Sequence, residues 1–214
     1  AMGFGQNLRV YVGDWDGRVR VIARHQEKQR SYHAWQWNLL AVPIAQPTGF
    51  ESLAYVGDRG GMMRCFGLDR ELVWQFDARS PIEGSAMVRH QNVYFGARDG
   101  ILHVCNRLSG REKAALFLGA EISSAPFAFH SEPTSLYVWT TNHPTLAGLQ
   151  RIRTIDDRIR IEDVPEDEKA PLDVNRVDRD WFLEGFTNLV ASSPDKLYLT
   201  RASSTVVVAI DRRT

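Results

Sequence analysis

Cysteine is scarce in this 214-residue sequence, which contains only Cys65 and Cys105. Two cysteines cannot form a disulfide framework, and these two lack the C-x-x-C spacing of zinc and redox sites. Each follows a glycine turn, but the two distances from the turn differ by one residue, which places the side chains on opposite faces of their strands. We therefore predict two buried free thiols, and neither has the adjacent base expected of a nucleophile.

An excess of charge is also absent, because Lys plus Arg and Asp plus Glu both number 26. Proteins that bind nucleic acid or anionic membranes usually carry a basic surplus, so neither partner is expected. No apolar run approaches the roughly 18 residues of a membrane-spanning helix. The N-terminal AMGFGQ does not resemble a signal peptide. With 43% hydrophobic residues the chain can bury a core, and one domain over 1–214 is the simplest expectation.

Motifs of catalysis are missing as well. The six histidines show no H-x-H or H-E-x-x-H spacing that would indicate a metal site. Neither the G-x-S-x-G elbow of serine hydrolases nor the G-x-x-x-x-G-K-[ST] loop of nucleotide-binding proteins occurs. The sequence therefore predicts no metal site and gives no support to nucleotide chemistry or serine hydrolysis.

What the sequence does contain is a repeated series of short strands and tight turns, clearest from Asn92 to Pro126. An alternating apolar run around Tyr94 reaches the turn Arg98-Asp99-Gly100, and a second run, Ile101 to Cys105, leads back from it. This pattern predicts a hairpin. A Ser-Gly turn, a third apolar run and the small residues of 121–126 follow, so the unit has four strands and the last begins the next unit.

The unit recurs along the chain, and a tyrosine marks the same strand in each copy. Three of the four intervals are close to the roughly 40 to 45 residues of a four-stranded propeller blade. The fourth is longer, and the charged, proline-bearing segment 162–180 predicts a long surface loop there. We therefore predict an all-β fold, a β-propeller of four-stranded antiparallel blades with about five blades visible. The tyrosines are Tyr11, Tyr55, Tyr94, Tyr137 and Tyr198, and the approximate blades are 7–45, 46–80, 81–120, 121–185 and 186–214.

Two phrases, VYFGARDGILHVCNRLSG and LYLTRASSTVVVAIDRRT, resemble the PQQ-like β-propeller repeat. Tyr94, Gly96, Asp99 and Gly100 match that repeat directly. The resemblance implies a single PQQ-like propeller domain over nearly the whole chain. Blade five lacks an outer strand, so we expect an incomplete ring or part of a larger propeller of seven or eight blades. Exposed blade edges would then favour self-association or a protein partner.

The same resemblance also bears on whether the chain holds a cofactor. Quinoprotein dehydrogenases with this repeat hold PQQ and calcium in an eight-bladed ring and use a pair of adjacent cysteines. This chain has no adjacent cysteines and about half of that length, so no cofactor is expected. Its acidic residues stand mainly in turns, where an Asp side chain caps the backbone.

The hairpin turns remain as the candidate site, because equivalent loops of a repeat protein cluster at one end. Trp15 is the most suggestive residue, since an exposed Trp between two carboxylates is typical of an interaction hot spot. The candidate partner-binding residues are Asp14, Trp15, Asp16, Asp58, Arg59, Arg98, Asp99, Asn142, His143 and Arg201.

These features favour a non-enzymatic protein-binding scaffold. The resembled family includes the propeller lipoprotein of the bacterial outer-membrane β-barrel assembly machinery, which implies a bacterial cell envelope and a periplasmic or otherwise extracytoplasmic location. Two alternatives stay open. One is a fragment of a PQQ-dependent alcohol or sugar dehydrogenase, and the other is a lectin-like carbohydrate binder that uses the aromatic segment 32–37.

Overall fold

A computed structural model of the chain describes residues 2–5, 9–25, 30–67, 70–154, 177–202 and 204–212. These residues form β-strands joined by turns and irregular connectors. No helix long and apolar enough to cross a membrane occurs in these ranges. The strands assemble into five antiparallel sheets that follow one another along the chain, which confirms the predicted all-β fold built of blades.

The first three blades have four strands each, ordered as they occur in the sequence. Blade one consists of β1 (Met2–Gly5), β2 (Arg9–Gly13), β3 (Arg18–His25) and β4 (Arg30–Asn38). Blade two consists of β5 (Thr48–Phe50), β6 (Leu53–Gly57), β7 (Met62–Gly67) and β8 (Leu72–Asp77). Blade three consists of β9 (Met87–Arg89), β10 (Asn92–Gly96), β11 (Ile101–Asn106) and β12 (Glu112–Phe117).

The last two blades have three strands each among the described residues. Blade four consists of β13 (Ser135–Thr140), β14 (Gly148–Thr154) and β15 (Val177–Glu184). Two isolated bridges, Glu121 with Thr141 and Phe127 with Tyr137, stand in place of its inner strand. Blade five consists of β16 (Phe186–Ser192), β17 (Lys196–Arg201) and β18 (Val207–Asp211), and the series of blades is not closed into a ring.

Two boundaries differ from the sequence-based expectation. Blade one begins at Met2 and not near residue 7, because Met2–Gly5 pairs with β2 and supplies the inner strand. Residues 162–176 of the predicted loop lie outside the described residues. Residues 177–180, which were also predicted to belong to the loop, are part of β15 and pair with β14. The strand that contains Trp181 therefore begins earlier in the sequence than the charged composition indicated.

Every blade has two faces, because side chains alternate along a strand. We call the face that carries the repeated tyrosine the front face, and the opposite one, which carries the residues on either side of that tyrosine, the back face. In blade two, Tyr55 lies on the front face and Ala54 and Val56 lie on the back face. The tyrosines of the first four blades are at most 3% exposed.

The front face of each blade packs against the back face of the next, and one buried apolar cluster fills each of the four junctions. Between blades two and three, for example, Tyr55 and Met63 share a cluster with Val93 and Phe95. A fully buried side chain of this size contributes about 1.5–3 kcal/mol. The junctions between blades therefore hold most of the apolar core.

The two cysteines follow the predicted geometry. Cys65 and Cys105 are both free and buried, which confirms the expectation of unpaired thiols. They lie on opposite faces of their own blades, Cys65 on the front and Cys105 on the back. Because the front of blade two meets the back of blade three, both thiols belong to the same cluster.

Candidate functional site

The turns between the second and third strands occupy equivalent places in successive blades. In each case the turn donates a backbone hydrogen bond to the connector that leads into its blade: Arg59 N to Val42 O at 3.0 Å, Arg98 N to Pro81 O at 3.0 Å and Thr141 N to Glu121 O at 2.8 Å. This repetition places the turns on one side of the blade array. We call that side, with the turns 14–17, 58–61, 97–100 and 141–147 and the residues that follow β17, the turn face.

Three of the predicted aspartates cap their own turns. Asp14 Oδ1 accepts hydrogen bonds from the backbone nitrogens of Asp16 and Arg18, both at 3.0 Å. Asp58 Oδ1 accepts one from Met62 N at 3.0 Å, and Asp99 Oδ1 accepts one from Ile101 N at 3.2 Å. These side chains therefore stabilise the hairpins, which is the structural role that Asp commonly has in tight turns.

Asp58 also forms a buried ion pair, which removes it from the accessible surface. Its side chain is 0% exposed and its partner, Arg64, is 9% exposed. Blade one has the same pair at the same spacing, Asp14 with Arg20 at 3.1 Å, but there the side chains are 24% and 46% exposed. The sequence analysis did not identify either arginine. The recurrence of Asp and Arg six residues apart in two blades could have predicted both ion pairs.

A polar ladder connects the turns of blades three and four. Arg98 lies 3.7 Å from Glu83 and 3.2 Å from Glu121, which stand on successive connectors. The Asn142 amide donates a hydrogen bond to the other carboxylate oxygen of Glu121. The bond from Asn142, and after it that from Arg98, lowers the pKa of Glu121. Arg98 and Asn142 are thus brought together through Glu121, and the sequence analysis singled out neither this glutamate nor Glu83.

The remaining predicted residues have mixed roles. His143 Nδ1 accepts hydrogen bonds from the backbone nitrogens of Thr145 at 3.2 Å and Leu146 at 3.0 Å, so this side chain shapes the longer turn of blade four. The guanidinium of Arg201 lies 4.9 Å from the centre of the Phe186 ring. Arg59 is exposed at the tip of its turn.

Trp15 is the most exposed aromatic side chain on the turn face, at 81%. The connector after blade one is tied to the same turn by a hydrogen bond from Leu39 N to Gly17 O at 2.6 Å, and the next residue, Leu40, is 99% exposed. A cavity of about 150 Å³ beside Trp15 is lined by Gly13, Asp14, Trp15, Pro43 and Ile44. Two exposed apolar residues and a small recess therefore belong to this turn and the connector bound to it, and the sequence analysis had identified only Trp15.

Three observations on the described residues bear on the two alternative functions, and Tyr32 of the aromatic segment is 53% exposed. No group of three or more His, Cys, Asp or Glu side chains within the described ranges is placed to hold a metal ion. Burial raises the pKa of both thiols to about 12, which makes them poor nucleophiles. In the aromatic segment 32–37, Trp37 is buried and stacks on Phe66 with ring centres 4.4 Å apart, so it packs between blades and is closed to a sugar.

Comparison with known proteins reveals similarity in fold but not in sequence. No protein-family profile matches the chain, and no curated protein matches it. Among solved structures, BamB from Moraxella catarrhalis aligns with a TM-score of 0.69 at 15% identity, over 99% of this chain and 57% of that one. The chain thus spans a little over half the length of BamB, and at this identity the likeness supports the propeller fold alone.

Two other structures align over part of the chain. The computationally designed Ika4 protein has a TM-score of 0.56 at 14% identity, over 70% of this chain and 87% of that one. BBS1N, solved in complex with ARL6DN, has a TM-score of 0.50 at 15% identity, over 62% of this chain and 43% of that one. Part of this chain therefore resembles in fold both a natural protein and a designed one.

Proposed function

We propose that this chain is a non-enzymatic protein-binding scaffold that holds its partner on the turn face, around Trp15 and Leu40. The exposure of Trp15, at 81%, is the observation that carries the proposal. Exposing Trp15 and Leu40 loses the stabilisation that their burial would give, about 1.5–3 kcal/mol for a large apolar side chain. A partner that covers both recovers it, and Trp is among the residues most enriched at interaction hot spots.

The surroundings of Trp15 fit the rim of a protein interface. Asp14 and Asp16 precede and follow Trp15 in the sequence, and each carboxylate has an arginine partner, Arg20 at 3.1 Å and Arg18 at 3.5 Å. The rim is therefore charged but locally neutral. We expect a partner that inserts an apolar side chain into the recess at Pro43 and Ile44 and meets the rim with polar groups, as in typical interfaces with an apolar centre and a polar edge.

The wider assignment rests on the resemblance to the PQQ-like repeat and on the likeness to BamB in fold. We assign the chain to the PQQ-like propellers and to the bacterial cell envelope, in an extracytoplasmic compartment. The partners of the whole BamB protein are not carried over, because the chain spans 57% of that chain. Self-association is a second mode of binding in this proposal, since β18 pairs only with β17 among the described residues and leaves one edge open.

A peptide selection tests the turn face directly. Phage-displayed random peptides are selected on the immobilised chain, and the dissociation constants of the enriched peptides are measured in solution by fluorescence anisotropy. We expect Trp15→Ala to weaken binding about 30-fold, which corresponds to the roughly 2 kcal/mol of a hot-spot residue. Leu40→Ser should weaken it less, because Leu contributes less than Trp at hot spots.

The matched control is Leu108→Ser, since Leu108 is 54% exposed in the turn between β11 and β12, at the opposite end of the blade. It should leave binding unchanged. Peptides that bind Trp15→Ala as tightly as the unchanged chain would contradict the proposed site. A rise in melting temperature when pyrroloquinoline quinone and calcium are added together would instead favour the dehydrogenase alternative.

A further inference from the structure

The four junctions between blades are built to one pattern. On the front side, a tyrosine of the second strand is buried: Tyr11, Tyr55, Tyr94 or Tyr137. On the back side of the next blade, the two residues that flank the equivalent tyrosine cover it, and they are at most 1% exposed in blades two to five: Ala54 and Val56, Val93 and Phe95, Leu136 and Val138, Leu197 and Leu199. A junction therefore always joins the front-face residues around the tyrosine of one blade, which we call its front half, to the back-face residues that flank the tyrosine of the next blade, which we call its back half.

Each end of the series leaves one half of this pattern uncovered. On the front face of blade five, Tyr198 is partly exposed, and its neighbours on β18, Val207 and Ala209, are exposed. Register places Ala209 opposite Tyr198 and Val207 opposite Thr200, so all four side chains lie on one face. On the back face of the same blade, Leu197 and Leu199 are buried against blade four.

The back face of blade one is the complementary half. Val10 and Val12 flank Tyr11 and are partly exposed, although the equivalent residues of every later blade are buried. Ile22 lies opposite Val10 in the register and is partly exposed as well, whereas its counterparts Phe66 and Cys105 are buried at 6% and 0%. The part of the chain that the structure describes thus presents one uncovered front half and one uncovered back half.

We propose that the front face of blade five in one copy of the chain packs against the back face of blade one in a second copy, head to tail. The contact repeats the junction that the chain already forms four times, with Tyr198 in the place of Tyr137 and the pair Val10 and Val12 in the place of Leu197 and Leu199. Asp14 and Arg20 then become buried, as Asp58 and Arg64 are where blade one covers blade two.

This contact is heterologous, because two different surfaces meet, and it leaves a free front half at one end and a free back half at the other. Copies can therefore add without a fixed limit unless the rotation closes a ring. Pairing through the open edge of β18 differs in this respect. Two copies of one edge would meet each other, which gives a symmetric dimer that uses neither face.

Two variants separate these modes. Ala209→Glu places a charge in the front half of blade five, and Val10→Asp places one in the back half of blade one; both positions are at least partly exposed within a single copy, so the fold tolerates them. Leu108→Glu, at an exposed position remote from both halves, serves as the control. Thr200→Lys and Ile22→Lys replace either variant if its circular dichroism shows a folding defect.

Sedimentation velocity over a wide range of protein concentration gives the readout. We expect the mass of the unchanged chain and of Leu108→Glu to rise with concentration beyond a dimer. Each face variant alone should stay monomeric. An equimolar mixture of Ala209→Glu and Val10→Asp should form a dimer and nothing larger, because each variant keeps the one intact half that the other lacks.

Three outcomes would overturn the proposal. The unchanged chain could stay monomeric at every concentration, which would mean that the two halves do not bind each other. The face variants could still dimerise alone, which would identify edge pairing through β18. The mixture could remain monomeric although the unchanged chain associates, which would show that the two faces are not partners.

Discussion

The back faces of blades one and two carry the same Asp–Arg pair in the same register, and the two pairs differ in burial. Asp14 with Arg20 and Asp58 with Arg64 occupy equivalent turns, yet the side chains of the first pair are 24% and 46% exposed and those of the second are 0% and 9% exposed. The difference is that blade one covers the back of blade two, and nothing in the described residues covers the back of blade one. Burial in this fold therefore comes from the neighbouring blade.

This difference has an energetic consequence. A blade that cannot bury its own faces gains stability only by stacking, as in other repeat proteins. A substitution on the back face should thus be tolerated in blade one and damaging at the equivalent position of a covered blade. Pairs of equivalent positions allow the comparison to be tested with chemistry and local sequence held nearly constant.

The largest effect is expected for a charge on a covered back face. Val93→Asp in blade three should lower the free energy of unfolding by at least about 5 kcal/mol, because an unpaired carboxylate enters a closed apolar cluster. Val93 is 0% exposed and lies opposite Cys105 in the register. Urea denaturation followed by tryptophan fluorescence, at a protein concentration low enough to keep the chain monomeric, gives the value.

The matched variant is Val10→Asp, which changes the equivalent residue of blade one. Since Val10 is partly exposed, we expect a loss below about 1 kcal/mol. Equal losses for the two variants would mean that the back face of blade one is as well covered as that of blade three, and the comparison between open and covered faces would fail.

A smaller effect is expected when the ion pairs are broken. Asp58→Ala leaves the Arg64 guanidinium buried without its carboxylate and should cost about 3–5 kcal/mol. Asp14→Ala should cost about 1 kcal/mol or less, because water can solvate Arg20 and exposed ion pairs contribute little. The same denaturation experiment measures both variants.

A double variant shows whether the unpaired charge is the cause. Adding Arg64→Met to Asp58→Ala removes the charge and keeps most of the side-chain volume, so part of the lost stability should return. If Arg64→Met brings no recovery, the role of Asp58 lies in capping the turn at Met62 N and not in the ion pair.

The strands and turns of the blades could be predicted well from the sequence. In β10 and β11 the apolar alternation and the Asp-Gly turn act over a few residues, and the register confirms the hairpin, with Gly96 opposite Leu102 and Asn92 opposite Asn106. The inner strands were harder to predict because they are short and rich in small residues. The β5 strand has three residues, and blade four has bridges at Glu121 and Phe127 in place of such a strand.

The candidate site could be predicted only in part, since accessibility depends on residues that are distant in sequence. Asp14 and Asp58 stand in similar turns, and nothing near either residue reveals that only Asp58 is covered by a preceding blade. Leu40 and Glu121 were missed for a related reason. They belong to connectors without a periodic pattern, and their significance appears only when the connector lies beside a turn, as the bond from Leu39 N to Gly17 O shows.

A thiol placed on the open back face of blade one is expected to change stability least. Its reactivity shows directly whether this face is covered. Cys105 and Ile22 are equivalent in register, opposite Val93 and Val10. Burial raises the pKa of Cys65 and Cys105 to about 12, so at pH 8 few of these thiols are ionised and the surrounding side chains block a reagent. In Ile22→Cys we expect one thiol per chain to react rapidly with a chromogenic disulfide under native conditions, and three in denaturant. Its rate should fall as protein concentration rises if copies stack head to tail, whereas a rate as slow as that of Cys105 in dilute solution would show that the chain itself covers this face.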